Sequence, residues 1–397
     1  MAADFEVLIV GGGVGGAALA LALAHAHPVR VLVIERRPGP GNINRGDSLL
    51  PAVTRLLKSW GALDRFRAAG ANPVSKMQVF HHQAGRLLEA PLVGPDGSPY
   101  LVLPHPEIER TLADAARATG RVEFRFKTSL RTLLQSDGRV RGARIVDGNG
   151  VEETVNARLV VGADGASSAV REQLDIPFLS VPYDTGYYII ELERPAAYED
   201  AMRLDLHPDG AVMTMPQTRA TVGAAVLVHP AQRALFQSGS TEAKLEAIWS
   251  RAPILEGMAA IPRGAHLYRL HRGHATRYVA RGAALIGDAV HVTNPTAGQG
   301  MTMAIEDGAA LAQKLAPLLA TAESEARLDR GLAEYEQERR PVNRELVRWS
   351  HWMGRFFSEG GELGDEIRRR LFAFGMTPIG KAIHRTVWNR VATRKAS

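Results

Sequence analysis

The apolar run from Glu6 to Val10 leads directly into Gly11-Gly12-Gly13-Val14-Gly15-Gly16, then an alanine- and leucine-rich stretch to about His27, then a second apolar run, Val29 to Ile34. Continuous rather than alternating apolar strands joined by a helix predict a parallel sheet covered on both faces. Glycine and proline from Pro38 to Gly46 predict a loop, and Leu49 to Trp60 has helical spacing. Between Ser75 and Leu103 the pattern turns to alternation, with Met77, Val79, Leu87 and the Gly94-Pro95-Asp96-Gly97 turn, which predicts antiparallel strands.

Helical spacing returns over Glu107 to Thr119. Strands are then expected over Val122 to Leu134 and Gly138 to Asp147, with a turn at Asp137-Gly138, and over Arg158 to Val161, which runs into Gly162-Ala163-Asp164-Gly165. From Ile176 to Arg277 the chain reads mainly as strands, among them Tyr187 to Leu192, Arg203 to Leu206, Ala211 to Met215 and Ala220 to Val228, with one helix near Thr241 to Arg251. Ala283 to Ile286 is a short strand, Gly300 to Leu319 a helix, and the chain beyond Glu323 is helical. No internal repeat interrupts this order.

The expected fold class is therefore α/β: a Rossmann-type domain interleaved with a mainly antiparallel β-sheet domain, plus C-terminal helices. Segments 1–75, 105–175 and 276–320 would build the first, 76–104 and 176–275 the second, and 321–397 the helical region. A length of 397 residues suits two lobes better than one core. The absence of cysteine excludes disulfides, thiolate metal sites and a cofactor tethered through sulfur, and favours a cytoplasmic setting. No apolar run is long enough to span a bilayer, and no signal segment precedes the glycine loop.

The net charge of +6 resides in the last part of the chain: residues 341–397 hold 11 Lys/Arg against 5 Asp/Glu, and residues 1–340 balance at 37 against 37. That distribution argues against a nucleic-acid partner for the whole protein and leaves an anionic surface or partner open for the C-terminal helices. Trp349, Trp352, Phe356 and Phe357 have the spacing of a helix packed on its own protein, which makes membrane contact the lesser expectation. Oligomeric state, monomer or homodimer, stays open.

Gly11, Gly13 and Gly16 fit G-x-G-x-x-G between a strand and a helix, where glycine admits a pyrophosphate and the helix N-terminus offers free N–H groups. Val14 opens that helix. Glu35 closes the second strand, placed to accept from ribose hydroxyls, and its charge disfavours a 2′-phosphate at this site. FAD and NAD both satisfy the motif.

Two further segments carry a family resemblance: Leu159 to Arg171, containing Gly162-Ala163-Asp164-Gly165, and Ala284 to Asp307, containing Gly287-Asp288, His291 and Pro295-Thr296-Ala297-Gly298-Gln299-Gly300-Met301. In this order, over roughly residues 5 to 345, the chain resembles the single-component FAD-dependent aromatic hydroxylases of the para-hydroxybenzoate hydroxylase fold. The resemblance implies non-covalent FAD, NADH or NADPH as a transient co-substrate, and O2 activated as a flavin C4a-hydroperoxide that oxidises an aromatic or other electron-rich small molecule. It also implies that Arg36, Arg45, Arg110 and Asp164 lie near the FAD, that Gly287 and Asp288 meet its sugar or ribityl hydroxyls, and that Pro295, Gly298, Gln299, Gly300 and Met301 meet its ring. Pro295 and Arg45 are the catalytic candidates. No second G-x-G-x-x-G marks a separate nicotinamide domain.

His81, Tyr187, Tyr188, Arg203, Met213, Met215 and Arg219 are candidate substrate contacts on the strand-rich part, of which alternation allows about half to face one pocket. His81-His82 invites a metal, but neighbouring strand residues point to opposite faces and no third ligand stands at a supporting spacing, so no metal is expected. His291 is read as a structural rather than a proton-transferring histidine. Three rivals compete: a halogenase, whose Trp-x-Trp-x-Ile-Pro segment is missing; a reductase of a prenyl-type substrate; and a non-enzymatic flavin-binding module.

Overall fold

The computed structural model describes residues 4–41, 48–261, 265–321, 323–359, 361–375 and 377. Its first sheet is built on three parallel strands at the centre, Glu152–Gly162, Phe5–Val10 and Val31–Glu35, extended by Val122–Phe126 on one side and Ala283–Leu285 on the other. Val7, Leu8, Ile9, Val31, Leu32, Val33, Val160 and Val161 are fully buried, which is why these strands are apolar at successive rather than alternate positions. Each such side chain contributes about 1.5–3 kcal/mol of burial energy.

One face of this sheet is covered by the Val14–Ala26 and Gly300–Ala320 helices, which touch each other at small residues. A Cβ on Gly308 would come within 3.2 Å of Leu19, and one on Gly15 within 3.3 Å of Ala304. That close crossing brings the start of the second helix beside the glycine loop that starts the first.

The second sheet has eight strands in the order His291–Val292, His266–Ala275, Phe178–Glu193, Thr221–Val228, Val212–Pro216, Met202–Leu206, Lys76–His81 and Gly85–Pro91. All pairs are antiparallel except Met202–Leu206 with Lys76–His81. Tyr188, Val212 and Val226 share one face, sealed by the Arg233–Ser238 and Thr241–Trp249 helices. The other face carries Tyr187, Met213, Leu204 and Val79, and its far end packs against Phe357 and Phe372 from the two last helices, Glu325–Ser358 and Gly361–Gly375.

Three elements differ from the sequence reading. Val122 to Leu134 is two strands rather than one, because Lys127 takes φ +52° and turns the chain from the parallel sheet into the Ser129–Ser136 and Arg139–Val146 hairpin. The strand expected at Arg158 begins at Glu152, in a polar half that pairs with that hairpin. The one expected at Tyr187 begins at Phe178, in a half whose side chains are largely exposed and so leave no buried pattern to read. Among the described residues no helix is long and apolar enough to cross a membrane.

Candidate active site

The glycine loop is held open by backbone geometry. Gly11 has φ +106°, and a Cβ there would strike the carbonyl of Ala163; a Cβ on Gly16 would strike the carbonyl of Gly11. Gly13 precedes the helix with no side-chain cap, so the first-turn N–H groups stay open to an anion.

Glu35 accepts from the Gly12 amide at 2.9 Å and from the Arg37 amide at 2.9 Å. Arg37 Nε also donates to Glu35 at 3.0 Å, and Arg37 Nη1 donates to Glu109 at 3.0 Å; Glu109 in turn accepts from the Gly41 amide at 2.6 Å. Burial pushes the Glu109 carboxyl up, but His105, the Gly41 amide and the Arg37 guanidinium outweigh it and hold the group at about 2. Arg37 is thus the arginine that orients the carboxylate beside the loop, whereas the expected Arg36 is exposed. Sequence reading missed Glu109 as well; it stands one residue before Arg110, which faces outward and pairs with Glu107 at 2.9 Å. Arg45 lies outside the described residues.

Asp164 caps the turn after the central strand. It accepts from Ser168 Oγ at 2.5 Å and from the Val170 amide at 3.2 Å, and burial raises its pKa. Arg171 then ties this turn to the third motif by donating to the carbonyl of Ala289 at 2.9 Å.

The third motif is organised by a residue to which the sequence pattern assigns no role. Asp307 is fully buried and accepts from the Gly287 amide at 3.1 Å, Arg339 Nε at 2.9 Å and Asn343 Nδ2 at 2.8 Å, with His291 Nε2 at 2.7 Å. Against the cost of burial, His291, Arg339 and Asn343 hold its carboxyl far below the ordinary range. His291 is fully buried against this carboxylate. Gly287, at φ +61°, turns the chain so that Asp288 stands half-buried just past the strand end.

Asn294 Oδ1 accepts from the Thr296 amide at 3.0 Å and from Thr296 Oγ1 at 2.6 Å, while Gly298 takes φ +62°. Together they shape the Pro295–Ala297 turn, with Pro295 exposed, Gln299 buried and the Gly300–Ala320 helix starting without a side-chain cap. Gly300 and Met301 form its first turn, and Met301 packs on the core of the first sheet. Tyr187 of the second sheet reaches this turn, its hydroxyl 2.7 Å from Thr296 Oγ1.

The other substrate candidates divide by register. Met213 shares the Tyr187 face, and Met215, two residues along the same strand, does too. Tyr188 and Arg203 lie on the reverse face; Arg203 stacks 3.6 Å from the Phe80 ring centre and pairs with Asp205 at 2.7 Å. Arg219 is exposed in the turn before Thr221. His81 is buried, with Nε2 2.9 Å from Asp365 of the last helix.

The expectation that His81 and His82 diverge needs correction. The strand ends at His81, so alternation does not extend to His82, and His82 Nε2 also reaches Asp365, at 3.1 Å. Asp365 was invisible as a partner because 283 residues separate it from His82. The Gln83 amide donates to His81 Nδ1 at 3.2 Å, which leaves Nε2 as the donor to Asp365. Asp365 is also the third potential ligand that the sequence spacing did not show: ligand atoms of His81, His82 and Asp365 lie within 4.8 Å of one another where the sheet meets the last helix.

A dinucleotide-binding sheet, a second strand-borne carboxylate and a second uncapped helix start beside the first define an FAD-binding oxidoreductase. The glycine cradle that a Cβ would fill, and the free N–H groups at both helix starts, fit that cofactor. Residues 4–350 match the FAD binding domain family, and the chain belongs to it as an FAD-dependent monooxygenase of the para-hydroxybenzoate hydroxylase type. Among its relatives, the ubiquinone hydroxylase UbiL of Rhodospirillum rubrum is 30% identical over 397 residues, covering 89% of this chain and 82% of that protein. A solved structure of PqsL, a probable FAD-dependent monooxygenase from Pseudomonas aeruginosa, is 25% identical with a TM-score of 0.77, covering 92% of this chain and 99% of that one. Aklavinone-11 hydroxylase, solved with FAD and aklavinone, is 25% identical with a TM-score of 0.77, covering 90% and 70%.

Proposed function

We propose that this chain hydroxylates an aromatic or similarly electron-rich ring, drawing electrons from NADH or NADPH. The observation that carries this reading is the 2.7 Å contact between Tyr187 and Thr296, which joins one face of the second sheet to the turn at the start of the Gly300–Ala320 helix. In this reading Gly11, Gly13, Val14 and Gly16 hold the FAD pyrophosphate, Glu35 the ribose, Asp288 the ribityl or ribose hydroxyls, and Pro295 with Gly298, Gln299, Gly300 and Met301 the flavin ring. The second sheet is the substrate domain, and Tyr187, Met213 and Met215 line the substrate's side. His81, Arg203 and Arg219 are not carried forward, because the first is engaged by Asp365, the second faces the other layer and the third faces solvent.

Reduced FAD supplies the chemistry by activating dioxygen: one oxygen atom enters the ring and the other leaves as water, balanced by the hydride of NAD(P)H and one proton. The protein's own part is to bind, orient and exclude water. Tyr187 suits this, since burial raises its pKa to about 12 and keeps the hydroxyl a neutral hydrogen-bonding group. Thioether and tyrosine surfaces favour a flat apolar ring over a charged ligand.

The test is turnover of the FAD-loaded protein with a panel of phenols and prenylated quinols, following NAD(P)H oxidation, oxygen uptake and product mass together. A product heavier by one oxygen atom derived from labelled O2 is expected. NAD(P)H-dependent product with no oxygen incorporated would instead make the chain a reductase.

A further inference from the structure

Arg340, Arg344 and Arg348 follow one another at four-residue intervals on the Glu325–Ser358 helix, and Arg272 approaches from the neighbouring His266–Ala275 strand. They line two adjoining notches of about 390 Å³ each, which share Arg344 and Arg348. Volumes of this size lie within the range of about 300–1,000 Å³ typical of small-molecule sites. The lining of the two notches contains four guanidiniums and a single carboxylate, that of Glu345.

These arginines differ from their neighbour. Arg339 is saturated by Asp307, Glu306 and Asn343. Arg340 Nε, by contrast, is buried with no hydrogen-bond partner, and among the described residues none of the four has a carboxylate within 4.0 Å. Like charges four apart on a helix repel, so the stripe is unfavourable for the helix by itself. The chain's last residues add no side-chain carboxylate: residues 376–397 hold five Lys/Arg and no Asp or Glu. The cluster also acts on its surroundings, because His274 in the second notch is held down to about 4, by burial first, then by His291, with Arg340 and Arg344 adding to it. An orphaned buried donor among unpaired guanidiniums signals a missing anion.

The geometry points to an anion site in these notches, distinct from the glycine loop, that takes a phosphate- or pyrophosphate-bearing small molecule through Arg272, Arg340, Arg344 and Arg348. Planar guanidiniums match phosphate oxygens bidentately, and the exposed Leu179 and Val181 at the rim offer apolar surface to the rest of such a ligand. The inference does not rest on the hydroxylase reading, since it concerns binding and needs no turnover.

Inorganic pyrophosphate is titrated calorimetrically into the tag-free, FAD-loaded full chain, so that the glycine loop is already filled. One saturable site is expected, weakening steeply as salt is raised. Arg344→Ala and Arg348→Ala, both exposed on the helix, should each weaken it at least about tenfold. Arg131→Ala, at an exposed arginine of the first sheet's hairpin, should leave it unchanged, and unaltered flavin content certifies the fold of every variant. Competition then identifies the source: displacement by NADPH and not NADH assigns the site to a 2′-phosphate, and displacement by neither assigns it to another phosphate ester, the arginines holding pyrophosphate in both cases. The absence of saturable binding, or equal binding by the Arg344→Ala/Arg348→Ala double variant, overturns the proposal.

Discussion

Replacing Glu109 by Gln removes one negative charge and little volume from the network behind the glycine loop. Wild-type Glu109 is held at about 2, against an ordinary value of 4.5. At 1.36 kcal/mol per unit this corresponds to about 3 kcal/mol of folding stability at pH 7. A carboxyl depressed on folding contributes fully above its unfolded pKa and loses its contribution as pH falls through the folded one. The difference between wild type and variant should therefore be constant from pH 8 to about pH 5, and about half gone near pH 3. With a urea dependence of about 3 kcal/mol per molar, the unfolding midpoint at pH 7 should fall by about 1 M. The assay is urea unfolding of the FAD-free proteins, followed by tryptophan fluorescence at several pH values. A variant with the wild-type midpoint at pH 7, or a deficit that persists undiminished at pH 3, would refute the assignment of this stability to the Glu109 charge.

Two further substitutions probe the loop and the third motif. Gly16→Ala puts a methyl against the Gly11 carbonyl, and FAD affinity, measured by flavin fluorescence quenching, should drop at least about tenfold, or 1.4 kcal/mol; unchanged affinity would mean that the loop does not approach the pyrophosphate. Asp307→Asn uncovers the charge of Arg339 and should cost about 3–5 kcal/mol in thermal unfolding, whereas an unchanged midpoint would show that Glu306 alone satisfies Arg339.

The sequence reading succeeded where one physical demand fixes residue type at short range. Valine and leucine at successive positions, with glycines between strand and helix, admit few structures other than a buried parallel strand entering a nucleotide loop. It failed where side-chain identity is permissive or the partner is remote. Lys127 has no sequence mark of a left-handed residue, so the break between two strands passed unseen. The exposed half of Phe178–Glu193 has no burial to impose alternation, and Arg36 and Arg37 look alike until the strand end fixes which of them turns back on Glu35.

The least legible parts are those that join distant segments through a single charge. Asp307 binds Gly287, 20 residues earlier, and Arg339, 32 residues later, and Asp365 binds two histidines 284 and 283 residues earlier. In the first case a C-terminal helix supplies Arg339 to a carboxylate that also holds the Gly287 turn and His291; in the second it supplies the carboxylate itself to the second sheet. The same long helix that spends Arg339 on Asp307 leaves Arg340, Arg344 and Arg348 without a carboxylate within 4.0 Å among the described residues, although each is an arginine within ten residues of the others. Composition reports one basic C-terminal region; only the helix phase separates the arginine that Asp307 engages from those that line the two notches.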